Sequence, residues 1–227
     1  MTGNDRYPSK DQEQRPGNTP GLLEDGLVFV RHGEPGLPTP WRVFLGRTGI
    51  GLSPLGRTQA ERVSLWARPF SWRGFFCSPL ARARKTAEII AGHLEIKTVV
   101  KEELSEIDLG RWDGREKEDI SRESPHLWEQ REKDLFSFPF PGGESFADLE
   151  ARAVPFLLSL LLKGGRWLIV SHAGVFRVLL HGLFKVPFPE TFRFDPGYGG
   201  IRIVERQGKA LLVKDPEGLQ IVRGELP

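Results

Sequence analysis

The sequence predicts an α/β domain. Short apolar runs biased towards β-branched and aromatic residues alternate with stretches of helical periodicity, and two of those runs stop at a histidine followed closely by glycine. The first is Leu27-Val28-Phe29-Val30, which ends in Arg31-His32-Gly33-Glu34. In an open α/β sheet, ligands sit beyond the carboxyl ends of the strands, so Arg31 and His32 are expected at the edge of a site. Arginine offers planar donors suited to phosphate or carboxylate, and a neutral imidazole can act as a nucleophile. Taken alone, the same four residues are equally consistent with an idle exposed pair.

A long loop rich in Pro and Gly follows, 35–51, carrying Trp41, Arg42, Phe44 and Arg47. Loops of this length inside a domain are often functional. Ser53-Pro54 reads as an N-cap followed by proline at the first helical position, opening a helix to about Arg68 with Leu55, Ala60, Val63 and Ala67 on one face. Arg73 to Cys77 is a second strand. Ser78-Pro79 repeats the cap-and-proline pattern, with Ser78 the expected cap and Ala83, Ala87 and Ile90 turned inward. Arg82 then lies in the first turns of that helix, at the end facing the site, whereas Arg84 and Lys85 read as solvated cations.

Lys97 to Val100 is a third strand. Beyond it, Leu104 to Gly114 alternates carboxylates with apolar residues, and a carboxyl group in a partly dry loop can serve as a general acid. Composition alone does not choose among Glu106, Asp108 and Asp113. Glu116 to about Lys133 is highly charged and broken by Pro125 into two short helices, the pattern of a solvated insertion or lid. Phe146, Leu149, Ala153, Phe156, Leu157 and Leu160 form a core stripe on a helix that Pro155 is expected to kink. Arg166 to Ser171 is another buried strand, ending in His172-Ala173-Gly174, and an apolar helix runs from Val175 to Leu183. If the two His-ended strands are neighbours, His32 and His172 meet. Ile201–Glu205 and Ala210–Lys214 read as a hairpin around Gln207-Gly208. His93, His126 and His181 read as structural or exposed.

The 227 residues suffice for one sizeable domain. Residues 1–25 are polar and rich in Pro and Gly, so a disordered tail is expected there, lacking the apolar core of a secretory signal. With 32 Lys and Arg against 30 Asp and Glu, bulk charge makes no case for a nucleic-acid or membrane partner. The single Cys77 excludes an internal disulfide and a cysteine-rich metal site, in keeping with a cytoplasmic protein.

Six blocks in this order resemble the histidine phosphatase superfamily, the phosphoglycerate mutase-like proteins. They are Arg31-His32-Gly33-Glu34; Leu45-Gly46-Arg47-Thr48 with Leu52-Ser53-Pro54-Leu55-Gly56; Ser78-Pro79-Leu80-Ala81-Arg82-Ala83 with Thr86-Ala87; Leu104-Ser105-Glu106-Ile107 with Gly110-Arg111-Trp112; Pro141-Gly142-Gly143-Glu144-Ser145; and Ser171-His172-Ala173-Gly174. A lone Arg-His-Gly is weak, but six ordered blocks are specific. The resemblance implies a three-layer αβα sandwich with a mixed, mostly parallel central sheet, spanning 26–227. It implies that His32 attacks phosphorus and becomes a phosphohistidine, with Arg31, Arg82 and His172 around the phosphoryl group. It also selects Glu106 as the acid that protonates the leaving oxygen and then activates water. No metal and no cofactor are expected, because the arginines take the part of a magnesium ion. Arg47, in the long loop, is a further candidate to touch the non-phosphate part of the substrate.

Departures from the family pattern fall at Pro35 and Gly36, at Gly49 after the Gly-Arg-Thr block, and at Asp113 within Trp112-Asp113-Gly114. They bear on the substrate pocket more than on the phosphate clamp. The expected activity is therefore metal-independent hydrolysis of a small phosphomonoester. Phosphoglycerate mutase and α-ribazole-5′-phosphate phosphatase activity are alternatives with the same chemistry. A non-catalytic binding or regulatory protein of the same fold is the alternative from a different class. A metal site on His32 and His172 would reveal itself by activity lost to a chelator.

Overall fold

Strand side chains alternate between the two faces of a sheet, and the fully apolar run after Gly26 therefore needs cover on both. The computed structural model, which describes residues 25–40 and 42–226, provides it. Strand β1 (Gly26–Arg31) sends Leu27 and Phe29 into one core and Val28 and Val30 into another. The first core is built with α5 (Phe146–Lys163) and α6 (Ala173–Phe184), the second with α1 (Pro54–Ala67) and α2 (Ala81–Leu94). The remaining elements are β2 (Gly74–Cys77), β3 (Thr98–Val100), α3 (Lys117–Glu123), α4 (Pro125–Lys133), β4 (Arg166–Ser171), β5 (Ile201–Gln207), β6 (Ala210–Lys214) and β7 (Gln220–Glu225). The result is the expected three-layer α/β sandwich.

The seven strands lie in the order β3-β2-β4-β1-β5-β6-β7. Contacts from β3 to β1 are parallel, and those from β1 to β7 are antiparallel. Register decides where the site forms. Arg31 pairs with Ser171 across β1 and β4, and Cys77 pairs with Val170 across β2 and β4. The next residues, His32, His172 and Ser78, therefore emerge together at the carboxyl ends of three adjacent parallel strands.

Several local expectations need correction. Ser53 does cap α1, accepting from the Gly56 N–H at 3.0 Å, but Leu55 is 49% exposed. Gly56 turns inward instead, where a Cβ would lie 2.2 Å from the Glu34 carbonyl oxygen. Ser78 does not cap α2: the chain bends through Pro79 first, Leu80 is the cap residue, and the serine hydroxyl accepts from the Leu80 N–H at 3.2 Å and meets His172 rather than reaching the first turn of the helix. Phe156 is only partly buried, Leu161 joining the core in its place; α5 carries Pro155 in its interior and opens on a Ser145–Asp148 capping box. Strand β7 lies outside the strands that periodicity predicts; its sequence, Gln-Ile-Val-Arg-Gly-Glu, has the polar character of an edge.

The tail expected over residues 1–25 falls outside the described residues except at Asp25. That residue is fixed, its carboxylate accepting from the Gly165 N–H at 2.6 Å and from Arg206 at 3.1 Å. No helix among the described residues is long and apolar enough to cross a membrane.

Candidate active site

His32 is 3% exposed, and its Nδ1 lies 2.7 Å from the Gly33 carbonyl oxygen. A carbonyl can only accept, so Nδ1 carries the ring proton and Nε2 presents a lone pair. Arg82 Nε donates to that lone pair at 3.1 Å. Burial, followed by Arg82 and Arg31, holds the imidazole well below its ordinary range despite the opposing bond to Gly33. The ring is thus kept neutral, the form a nucleophile needs.

Arg82 is 1% exposed, an unusual place for a guanidinium. Its Nη1 donates to the Thr48 carbonyl at 3.1 Å and its Nη2 to the Gly46 carbonyl at 2.6 Å. The loop carrying those carbonyls is fastened in turn by Asp113, which accepts from the Gly46 and Thr48 N–H groups at 2.8 and 2.7 Å. Burial lowers the Arg82 pKa, and Glu106, Asp113 and Tyr198 oppose that loss. Behind His32, Thr86 accepts from the Gly33 N–H at 3.0 Å and donates to the Arg82 carbonyl at 2.8 Å, tying the His32 turn to α2.

His172 is fully buried, with its ring centroid 5.0 Å from that of His32 and its Nε2 2.7 Å from the Ser78 hydroxyl. Burial, then Arg82, His32 and Arg31, keeps it well below the ordinary imidazole range too. Its Nδ1 and the Nε of Arg31 are buried without a hydrogen-bond partner among the described residues. Arg31 donates from Nη1 to the Pro196 carbonyl at 3.0 Å, and its guanidinium lies 4.0 Å from the centroid of the Tyr198 ring. Cationic and unpaired polar groups thus converge on His32, as the equatorial oxygens of a phosphoryl group require.

The structure separates the three carboxylates that composition left open. Asp113 fastens the loop, and Asp108 accepts from the Gly110 N–H at 2.9 Å. Glu106 alone of the three lines the cavity that holds Arg31, His32 and Arg82. Its carboxylate accepts from the Ile107 N–H at 2.9 Å and from the Gly174 N–H, in the first turn of α6, at 3.1 Å. A Cβ at Gly174 would lie 2.0 Å from Glu106 Oε1, so glycine there leaves the carboxylate its place. Neither Arg47 nor the fully buried His172 is among the cavity-lining side chains. Arg47 donates to the Glu106 carbonyl at 3.2 Å and pairs with Glu144 at 3.0 Å, on the loop that carries Glu106.

The cavity encloses about 470 Å³. Away from Arg31, His32 and Arg82 it is walled by Phe44, Leu109, Phe140 and Phe192, with Lys117, Arg131 and Arg177 also lining it. Burial and the two arginines lower the Lys117 pKa. Sequence reasoning missed these three cations and Tyr198. The one signal for Tyr198 was its setting in Gly197-Tyr198-Gly199-Gly200, where the Gly199 N–H reaches the Arg31 and His32 carbonyls, both at 3.1 Å.

Known proteins resemble this chain in sequence and in fold. The model of the histidine phosphatase superfamily (branch 1) matches residues 27–216. A 2,3-bisphosphoglycerate-dependent phosphoglycerate mutase of Mesorhizobium japonicum is 32% identical over 189 residues, covering 76% of this chain and 88% of the relative. The crystal structure of the α-ribazole phosphatase of Shigella flexneri superposes with a TM-score of 0.73 at 23% identity, over 88% of this chain and 96% of that one. A mycobacterial glucosyl-3-phosphoglycerate phosphatase in complex with inorganic phosphate gives 0.67 at 26% identity, over 79% and 88%. The family model spans most of the chain and every one of the convergent residues, and the chain belongs to the histidine phosphatase superfamily.

Proposed function

We propose that the protein is a metal-independent phosphatase that hydrolyses a small phosphomonoester through a phosphohistidine on His32. The observation that carries this reading is the neutral His32 Nε2 within one cavity that also holds Arg31, Arg82 and Glu106. On substrate binding, the Arg82 N–H now bonded to Nε2 turns to a phosphate oxygen and frees the lone pair. Nε2 attacks phosphorus, the bond to the leaving oxygen breaks, and Glu106 gives that oxygen its proton. The Gly33 carbonyl accepts from Nδ1–H as the ring becomes cationic. Arg31, Arg82 and His172 hold the charge on the equatorial oxygens, the largest contribution fixed groups make to phosphoryl transfer. In the second half, the Glu106 carboxylate takes a proton from water, the water oxygen bonds to phosphorus, the P–N bond breaks, and His32 returns neutral.

A mutase reading is favoured by one observation, the 32% identity to a phosphoglycerate mutase. It differs only in the acceptor, a substrate hydroxyl replacing water. The deciding experiment incubates the chain, with excess chelator, against a panel of aryl, sugar and glycerate phosphates, alongside His32→Ala. Phosphatase activity predicts released phosphate that survives chelator and disappears in the variant, with acid-labile phosphate trapped on His32. Isomerised phosphoglycerate without released phosphate would establish the mutase, and activity lost to chelator would overturn both readings.

A further inference from the structure

The Glu106 carboxylate is aimed by two backbone N–H groups alone among the described contacts, those of Ile107 and Gly174. Its direction therefore depends on where the backbone at 106–107 sits. That segment lies between two short 3-10 turns, Glu102–Leu104 and Gly110–Trp112, outside any sheet ladder. Side chains hold it instead. Arg152, on α5, donates from Nη2 to the Glu106 carbonyl at 3.0 Å and from Nη1 to the Glu103 and Glu102 carbonyls at 3.0 and 3.4 Å. The same guanidinium grips Glu144, through Nε to Oε1 at 2.9 Å and Nη2 to Oε2 at 3.0 Å. Glu144 completes the frame by accepting from the Asp108 N–H at 3.0 Å. Burial works against the Glu144 charge, but Arg152, the Asp108 N–H and Arg47 prevail and hold its carboxyl below the ordinary range.

We propose that Arg152, clamped by Glu144, is a positioning residue for Glu106: it sets the aim of the general acid and touches no substrate. The inference rests on the phosphatase reading. A planar fork that bonds several carbonyls and a carboxylate at once is something a lysine cannot reproduce. Its anchor is rigid, because α5 begins one residue after Ser145 in a closed capping box.

The test is leaving-group dependence. A good leaving group such as 4-nitrophenolate departs without a proton, whereas an alkoxide needs one, and kcat/KM reports every step up to its release. Arg152→Met in the full chain is expected to lower kcat/KM for glycerol phosphate by about 10–100-fold, part of what a general acid contributes. For 4-nitrophenyl phosphate the loss is expected to stay within about threefold, because that step needs no proton donor. Arg152→Lys should fall between Arg152→Met and wild type on the alkyl substrate. A uniform loss across leaving groups, or no loss, would overturn the proposal. Should Arg152→Met fail to fold, as judged by its melting curve, Glu144→Gln takes its place with the same expected selectivity, and a uniform or absent effect there overturns the proposal equally. A wild-type chain that hydrolyses neither substrate, or whose hydrolysis survives His32→Ala, defeats the phosphatase reading itself, and this inference with it.

Discussion

Replacing Gly174 by alanine adds one methyl group where the structure leaves no room for it. The new Cβ would lie 2.0 Å from Glu106 Oε1, 3.0 Å from Glu106 Cδ and 3.3 Å from Leu149 Cδ2. Non-bonded heavy atoms rest at about 3.5–4.0 Å, so the carboxyl group has to withdraw by more than about 1 Å. That movement breaks its bond to the Gly174 N–H. A misplacement of this size typically costs about 100-fold in rate. Stability should respond far less. Overpacking costs about 1–3 kcal/mol, and alanine returns about 0.8–1.0 kcal/mol of helix propensity relative to glycine inside α6. The net loss of up to about 2 kcal/mol corresponds to a fall in Tm of no more than about 8 °C for a chain of this size. The assay pairs a thermal melt with kcat/KM for an alkyl and an aryl phosphate. A folded Gly174→Ala protein that keeps alkyl phosphatase activity within about threefold of wild type, against the 100-fold expected from misplacement, would refute the role assigned to Glu106.

Arg82→Met should lower kcat/KM by at least about 100–1,000-fold, the loss that follows removal of one fixed donor to the reacting group; a loss below about tenfold would remove Arg82 from the phosphate clamp. The same substitution leaves the Gly46 and Thr48 carbonyls without their donor, so a melt should register about 1–3 kcal/mol of destabilisation. Both site histidines are depressed in the folded chain, chiefly by burial, so the unfolded chain binds protons that the folded one refuses. Their contribution to stability is complete above the ordinary imidazole value of about 6.5 and is lost as the pH falls below it towards the folded values. Tm should therefore drop between about pH 7.5 and 5.5, and drop less in the His32→Asn, His172→Asn double variant; identical slopes would contradict this linkage. Arg47→Ala should reduce kcat several-fold with KM unchanged, because Arg47 braces the Glu106 loop. A raised KM with kcat unchanged would return Arg47 to the substrate.

Much of the candidate site is legible in the linear sequence because its members sit where local rules act. His32 and His172 each follow an apolar run that can only be a buried strand, and Arg82 follows a strand and its turn into a helix. Glycines mark the places where backbone or a carboxylate presses close, as at Gly33, Gly56 and Gly174. Local rules also mislead where a second use competes for a residue. Ser78 has the look of a helix cap, yet its hydroxyl meets His172, 94 positions away in the chain. The edge strand β7 escapes periodicity because it is half solvated and therefore carries little apolar signal.

The sequence alone determined the alternation of strands and helices, the two His-ended strands and, through the order of its blocks, the family. Beyond the resemblance, which already singles out Glu106, tertiary structure alone decided which of the three carboxylates faces the cavity. Glu106, Asp108 and Asp113 share one loop and one composition, and they differ in what lies opposite: the α6 N-terminus for Glu106, the turn at Gly110 for Asp108 and the Gly46–Thr48 loop for Asp113. Tertiary structure alone also set the far wall of the cavity, where Phe44, Lys117, Arg177 and Phe192 meet from four separate segments. Sequence patterns report each residue's own secondary structure. They carry no record of which distant segments the sheet order will bring face to face.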